Sequence, residues 1–283
     1  MITQTFATPG GPVKVHGIQT GRLAIKRAAL TAKRPGPLST LRSFADKEFG
    51  DWLPVWAWLV EHPTGRYLID TGLTTDVLQK GFFRSVDRFS RYYFEKQMRF
   101  DISPSEEIDA QLASLGLGGD AIDRIFLTHL HIDHSAGLKH FPNTSLVVNQ
   151  REWDTMDGSF PGLLPTGLQV EKIPLEKPFK NFERSAILTA DESFMMVETP
   201  GHTRGHSSVF LRLDEGQYLV FAGDIAYNQR RLEGKVFSAT IQNAKRNARS
   251  CEQMLAFAKD HRLLLLPSHD PENGARLGQG FAS

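Results

Sequence analysis

The run Thr128-His129-Leu130-His131-Ile132-Asp133-His134 limits what this chain can be more than any other stretch, because it packs four metal-ligating side chains into six residues. In extended backbone His129, His131 and Asp133 project to one side, and the adjacent His134 can turn toward a second ion. Imidazole together with carboxylate suits Zn2+ and related divalent ions. The run follows an apolar segment, residues 124–127, that reads as a strand. Three further pieces also follow predicted strands: Thr199-Pro200-Gly201-His202 after FMMVE, Gly223-Asp224 after YLVFA, and Ser268-His269-Asp270 after LLLLP. A single histidine after a strand is ordinarily a surface or hydrogen-bonded residue. Together these pieces supply the two further histidines and the carboxylate that complete two metal sites.

Strand and helix signals alternate along the chain. Residues 55–61 (VWAWLVE) and 66–70 (RYLID) read as strands joined by a turn at His62-Pro63-Thr64-Gly65. The first is apolar on both sides, with Trp56, Trp58 and Val60 facing one way and Val55, Ala57 and Leu59 the other, as expected inside a sheet covered on both faces. Ser103-Pro104-Ser105-Glu106 has the form of a capping box with proline at the first helical position, predicting a helix that runs through Leu115 and stops at Gly116. Further strands are expected at 145–149, 194–198, 207–213, 217–222 and 262–266, and a helix at 248–259. Strands followed by short His/Asp-rich loops predict a layered α/β fold with its chemistry at strand ends.

Composition narrows the function class. The chain has 283 residues, 40% of them hydrophobic, and a formal net charge of +1, enough apolar side chain for a large core. No linker, low-complexity run or internal repeat divides it, so a single domain over 1–283 is expected. Near-neutral charge argues against nucleic acid as substrate; the locally basic stretch 84–99 reads as a solvated helix face. The beginning, MITQTFATPGG, lacks the pattern of a secretion signal, and no apolar run approaches the roughly 20 residues that cross a bilayer. No membrane association and a cytoplasmic location are therefore expected. The single cysteine, Cys251, excludes an internal disulfide and reads as a small core residue.

HLHIDH, TPGHTRGH, GDIAY and the final SHD, in that order, resemble the metallo-β-lactamase superfamily, and the resemblance covers the chain from about Thr20 onward, leaving about 1–20 as an N-terminal extension. It implies a four-layer αββα sandwich of two βα halves with two metal ions, Zn2+ the expected species, at the edge between them. By motif, His129, His131 and His202 would hold the first ion, Asp133, His134 and His269 the second, and Asp224 would bridge both. Asp70, in the segment Ile69-Asp70-Thr71-Gly72, resembles the family's buried aspartate that supports the ligand loop without binding metal.

Two ions sharing a carboxylate can activate water at neutral pH, and Asp133 beside it could orient that water and shuttle its proton. The expected reaction is attack of metal hydroxide on an ester-like carbonyl or on phosphorus. Fold alone does not choose the substrate. Leu53-Pro54-Val55-Trp56 leading to Gly65, the segment Leu68 to Gly72 and the run NTSLVVNQREW resemble the N-acyl homoserine lactonases, as does Asp224-Ile225-Ala226-Tyr227. In those enzymes the matching tyrosine contacts the lactone, which implies a catalytic role for Tyr227 as donor to the carbonyl oxygen; packing beneath the loop is its other reading. The implied substrate is an acyl lactone, and the resemblance leans toward a homodimer.

The sequence departs from that pattern after Gly21-Arg22, where a polar residue is common and Leu23-Ala24-Ile25-Lys26 stands. The aromatic-rich segment 74–100 reads as an acyl-pocket wall or a dimer interface, with plain core packing the ordinary role for any single residue in it. Other lactonases, esterases and phosphotriesterases share the ligand set and stay open as alternatives. A thioesterase of the glyoxalase II type is disfavoured, because only fourteen residues follow His269.

Overall fold

The computed structural model describes residues 1–30, 42–214, 216–234 and 241–281. Alternating apolar side chains build two sheets that face each other. The larger contains β1 (Ile2–Phe6), β2 (Val13–Ile25), β3 (Leu53–His62), β4 (Gly65–Ile69), β5 (Met98–Asp101), β6 (Arg124–Leu127), β7 (Ser145–Asn149) and β8 (Gln169–Ile173). Its order is β1-β2-β3-β4-β6-β7-β8, with β5 pairing on β2. The smaller contains β9 (Lys177–Phe179), β10 (Phe182–Ile187), β11 (Phe194–Glu198), β12 (Ser207–Asp214), β13 (Gln217–Gly223) and β14 (Arg262–Pro267), in the order β14-β13-β12-β11-β10-β9. The helices that matter here are α1 (Arg88–Gln97), α2 (Ile108–Ser114), α3 (Ile132–Ser135), α4 (Gln150–Thr155), α5 (Ala244–Asp260) and α6 (Asn273–Gln279).

Strand β3 shows how the layers are held. Trp56, Trp58 and Val60 enter the core between the sheets, where Trp58 lies 5.6 Å ring to ring from Phe221 of β13. Ala57 and Leu59 face the opposite way and pack with Ile108 and Leu112 of α2. The outer face of the smaller sheet is covered by Cys251, Met254 and Phe257 of α5. The layers thus run helix, sheet, sheet, helix, as the family resemblance implies, and Cys251 is the small core residue expected.

Three differences from the sequence reading have physical causes. Residues 2–6 and the first part of 13–25, in the stretch of about 1–20 read as an extension, belong to strands of the larger sheet, β1 pairing antiparallel to β2 with Ile2 opposite Gly17. The helix predicted from the capping box is broken at Glu107. Glu106 does accept the Ser103 N–H and hydroxyl at 2.8 and 2.7 Å, but the box closes only a 3-10 turn, Pro104–Glu106. Glu107 is extended (φ −62°, ψ 149°), which lets its carboxylate accept the Thr75 N–H at 2.8 Å and His140 Nε2 at 2.8 Å. Tertiary hydrogen bonds there outweigh local helix propensity. Finally, α5 starts four residues earlier than expected, because Asn243 caps it by accepting the Arg246 N–H at 3.0 Å. Among the described residues no helix is long and apolar enough to cross a membrane.

Candidate metal centre

Every side chain singled out in the sequence leaves the end of a strand. The loop after β6 carries His129, His131, Asp133 and His134, the last two on the short helix α3; His202 follows β11, Asp224 follows β13 and His269 follows β14. β4 and β6 run parallel, so Asp70, at the end of β4, reaches the same rim. The larger sheet thus contributes four of the seven candidates and the smaller sheet three.

The structure brings all seven together. His131 Nδ1 lies 3.0 Å from His129 Nε2 and 2.9 Å from His202 Nε2. His269 Nε2 is 3.2 Å from Asp133 Oδ2 and 3.3 Å from Asp224 Oδ1. Asp224 spans both groups, with Oδ2 at 3.4 Å from His202 Nε2 and Oδ1 at 3.5 Å from His134 Nε2. These spacings are close to the roughly 3.3 Å ligand edge of a tetrahedron with metal–nitrogen bonds near 2.0–2.1 Å. His129, His131 and His202 make one compact triad, His129, His134 and Asp224 a second, and Asp133, His134 and His269 a third.

Four of the five imidazoles have their outer nitrogen occupied, which in the neutral ring leaves the inner one as a lone pair. His131 Nε2 donates to the Asp157 carbonyl at 3.1 Å, His269 Nδ1 to the Pro54 carbonyl at 2.9 Å, and His134 Nδ1 to Asp70 Oδ2 at 2.7 Å. The Thr128 hydroxyl donates to Asp70 and faces His129 Nδ1 at 3.1 Å. Such outer hydrogen bonds set tautomer and orientation in metal sites. By contrast, the inward atoms His134 Nε2, His269 Nε2 and Asp224 Oδ1 are buried and find no hydrogen-bond partner among the described residues. Buried polar atoms left this way need an occupant, and a divalent cation fits this donor set.

The electrostatics divide the site. Burial lowers the proton affinity of His129 and His202, and their neighbouring imidazoles lower it further, so both stay neutral and can ligate. Burial also opposes charge on His134 and His269, but the carboxylates of Asp70, Asp133 and Asp224 outweigh it at His134, and those of Asp224 and Asp133 at His269. His134 is held well above the usual range and His269 at about 10. Conversely, burial raises Asp133, yet His134 and His269 bring it down to about 2. The pocket is built to hold positive charge.

His206 supports Asp224 in a way the sequence reading missed. It is fully buried, its Nδ1 donates to the Thr199 carbonyl at 2.9 Å, and its Nε2 accepts the Asp224 N–H at 2.9 Å. Residue 223 must be glycine for this contact: its φ is 58°, and a Cβ would stand 2.5 Å from His206 Nε2. The signal was the second histidine of TPGHTRGH.

The centre opens into a cavity of about 270 Å³ whose lining includes Asp133, His202, Asp224, His269 and Tyr227. Tyr227 is buried, with its ring 5.4 Å from that of His269, and it also packs in a cluster with Leu23, Ile25 and Ile132. Both readings of this tyrosine thus find neighbours. The aromatic segment 74–100 supplies much of the remaining wall through Phe89, Tyr93, Phe94 and Met98, together with Leu23, Ile25 and Phe160. Phe94 is stacked on Phe83 at 4.9 Å and meets Phe160 edge-on at 5.7 Å.

A family model described as the metallo-beta-lactamase superfamily matches residues 50–263. The chain is 25% identical over 228 residues to the N-acyl homoserine lactonase AttM of Agrobacterium fabrum, covering 78% of this chain and 83% of that one. It is 25% identical over 231 residues to the N-acyl homoserine lactonase AiiA of Bacillus thuringiensis subsp. kurstaki, covering 79% and 80%. Among solved structures it is similar to an N-acyl homoserine lactone hydrolase with N-hexanoyl-L-homoserine at its catalytic metal centre, with a TM-score of 0.72, 19% identity, and 97% and 96% coverage. It is also similar to AidC, a dizinc quorum-quenching lactonase, with a TM-score of 0.65, 16% identity, and 96% and 92% coverage.

Proposed function

Since the chain belongs to the metallo-beta-lactamase superfamily of hydrolases, we propose that it holds two divalent ions and opens the lactone ring of N-acyl homoserine lactones. The observation that carries the reading is the joining of a seven-ligand cluster to an apolar, aromatic-walled cavity. A polar ester ring would sit at the cluster and an apolar acyl chain along the wall. The AttM and AiiA relatives support the substrate class.

In this proposal His129, His131 and His202 would hold one ion, Asp133, His134 and His269 the other, and Asp224 would serve both, with Zn2+ the expected species. Divalent metal bound there supplies Lewis-acid polarisation of the carbonyl and a lowered pKa for water. Asp133 is held as a carboxylate in the cavity lining, where it takes the proton of the attacking water and delivers it to the leaving ring oxygen. The water oxygen bonds to the carbonyl carbon, the bond from that carbon to the ring oxygen breaks, and the opened ring is a single hydroxy acid whose new hydroxyl carries the delivered proton. Tyr227 donates its phenolic hydrogen bond to the carbonyl oxygen as charge grows there. The apolar wall excludes water from the acyl side.

The test is a panel assayed on purified protein: acyl homoserine lactones of graded chain length, a simple γ-lactone, S-lactoylglutathione, a cephalosporin and an aryl phosphotriester. The expected result is highest kcat/KM on the acyl lactones, with nearly two metal ions per chain by elemental analysis. Turnover of the thioester, the β-lactam or the phosphotriester with none on lactones refutes the substrate reading. At most one ion in both wild type and Asp224→Ala refutes the two-ion reading.

A further inference from the structure

Glu152 is a buried carboxylate that the chemistry above does not use. It sits on α4 with no solvent exposure, and its two oxygens serve two different loops. Oε1 accepts the backbone N–H of Leu130 at 3.0 Å, and Oε2 accepts the Thr203 hydroxyl at 2.6 Å. Leu130 lies between His129 and His131, and Thr203 directly follows His202. One side chain therefore ties together the two loops that carry the three-histidine triad, one from each sheet.

The rest of α4 reinforces the same junction. Asn149, its N-cap, donates to the Gly205 carbonyl at 2.8 Å. Gly205 approaches so closely that a Cβ there would lie 2.1 Å from the Glu152 nitrogen. Just past the helix, Asp157 accepts the Arg204 N–H at 2.9 Å through its carboxylate and His131 Nε2 through its carbonyl. Asp70 and Pro54 hold the other half of the site, through His134 and His269. The centre thus has two buried carboxylate braces, Asp70 for one half and Glu152 for the other. Burial pushes the Glu152 carboxyl up to about 7, the cost of placing an acid where only its acceptor geometry is used.

We propose that Glu152 is a positioning residue that sets the His129–His131–His202 half of the centre through Leu130 and Thr203. The proposal rests on the two-ion reading above. Glu152→Leu keeps volume but leaves the Leu130 N–H and Thr203 hydroxyl unpaired. Glu152→Gln can still accept from Leu130 with its oxygen and donate to the Thr203 hydroxyl with its amide.

The experiment is stepwise chelator competition with Zn2+, joined to the visible absorption of Co2+-loaded protein, on wild type, both Glu152 variants and Thr203→Val. In Glu152→Leu one metal equivalent is expected to weaken by about tenfold or more, the usual effect of losing an outer support. Glu152→Gln should stay near wild type. The Co2+ band that changes should differ from the one that changes in Asp70→Asn. Unchanged affinities, or equal weakening of both equivalents, overturn the proposal. If Glu152→Leu fails to fold, Thr203→Val decides: selective weakening of the same equivalent supports the brace and no change overturns it. A wild type that binds one equivalent refutes the two-ion reading instead, and Glu152 is then judged on that equivalent, where unchanged affinity in Glu152→Leu is fatal to it.

Discussion

Replacing Asp70 by asparagine removes one charge and preserves shape, yet neither orientation of the amide fits. Asp70 Oδ1 accepts the Thr128 N–H at 2.9 Å and Oδ2 accepts His134 Nδ1 at 2.7 Å. An asparagine must set its NH2 against one of these two donors. Asp70 and His134 are essentially unexposed, so water cannot repair the mismatch. A buried donor left without an acceptor costs about 1–3 kcal/mol. At about 1.4 kcal/mol per tenfold, that is roughly a 5- to 140-fold loss of affinity for an ion on His134. The range brackets the 10- to 100-fold effect usual for outer supports of metal ligands. The assay is Zn2+ competition against a chelator at neutral pH, with a denaturant titration of the metal-free protein alongside. Both metal equivalents remaining within about twofold of wild type would refute the argument that Asp70 sets the His134 tautomer.

Tyr227→Phe should lower lactone kcat by on the order of 100-fold, as for loss of one oxyanion donor, with metal content unchanged by elemental analysis; unchanged kcat returns Tyr227 to packing. Phe94→Ala should lengthen the preferred acyl chain, because each added CH2 that finds burial is worth about 0.8 kcal/mol. If two of the four extra CH2 groups of a decanoyl lactone find burial there, about 1.6 kcal/mol, its kcat/KM ratio to a hexanoyl lactone should rise by roughly 15-fold, and a flat or falling ratio means the acyl chain lies elsewhere. Burial opposes the Glu61 charge, but hydrogen bonds from His16, Lys14 and Arg66 hold its carboxyl at about 2 rather than the ordinary 4.5. Its contribution to stability is therefore complete above pH 4.5 and fades as pH falls toward 2. Denaturant midpoints of wild type and Glu61→Gln should converge over that window, and a constant gap would contradict the linkage.

The candidate site was legible because its chemistry is local. HLHIDH, His202, Asp224 and His269 each sit directly after an apolar strand, and strand ends on one rim meet in space. Strand β3 of the central core was legible for the same reason, since it alternates two apolar faces and both are covered, whereas β2, which enters the same core through Val13 and Val15, was read as part of an extension. What escaped depends on partners distant in sequence. Glu152 stands within NTSLVVNQREW, but its role appears only when Leu130 and Thr203, 22 and 51 positions away, arrive beside it. Glu107 breaks the 103–115 helix for contacts with Thr75 and His140, which no window around residue 107 contains. Strand β8 (QVEKI) also went unread, since three of its five residues are exposed and none is fully buried, leaving little apolar alternation to detect.

Because four of the clustered side chains hang from one sheet and three from the other, neither sheet alone offers a complete binding site. A cation gripped by both would therefore act as a rivet across the sandwich seam, favouring the closed arrangement over any form in which the halves part. Stripping the ions should loosen that seam at the rim first, leaving the Trp58–Phe221 contact in the interior to hold the halves together.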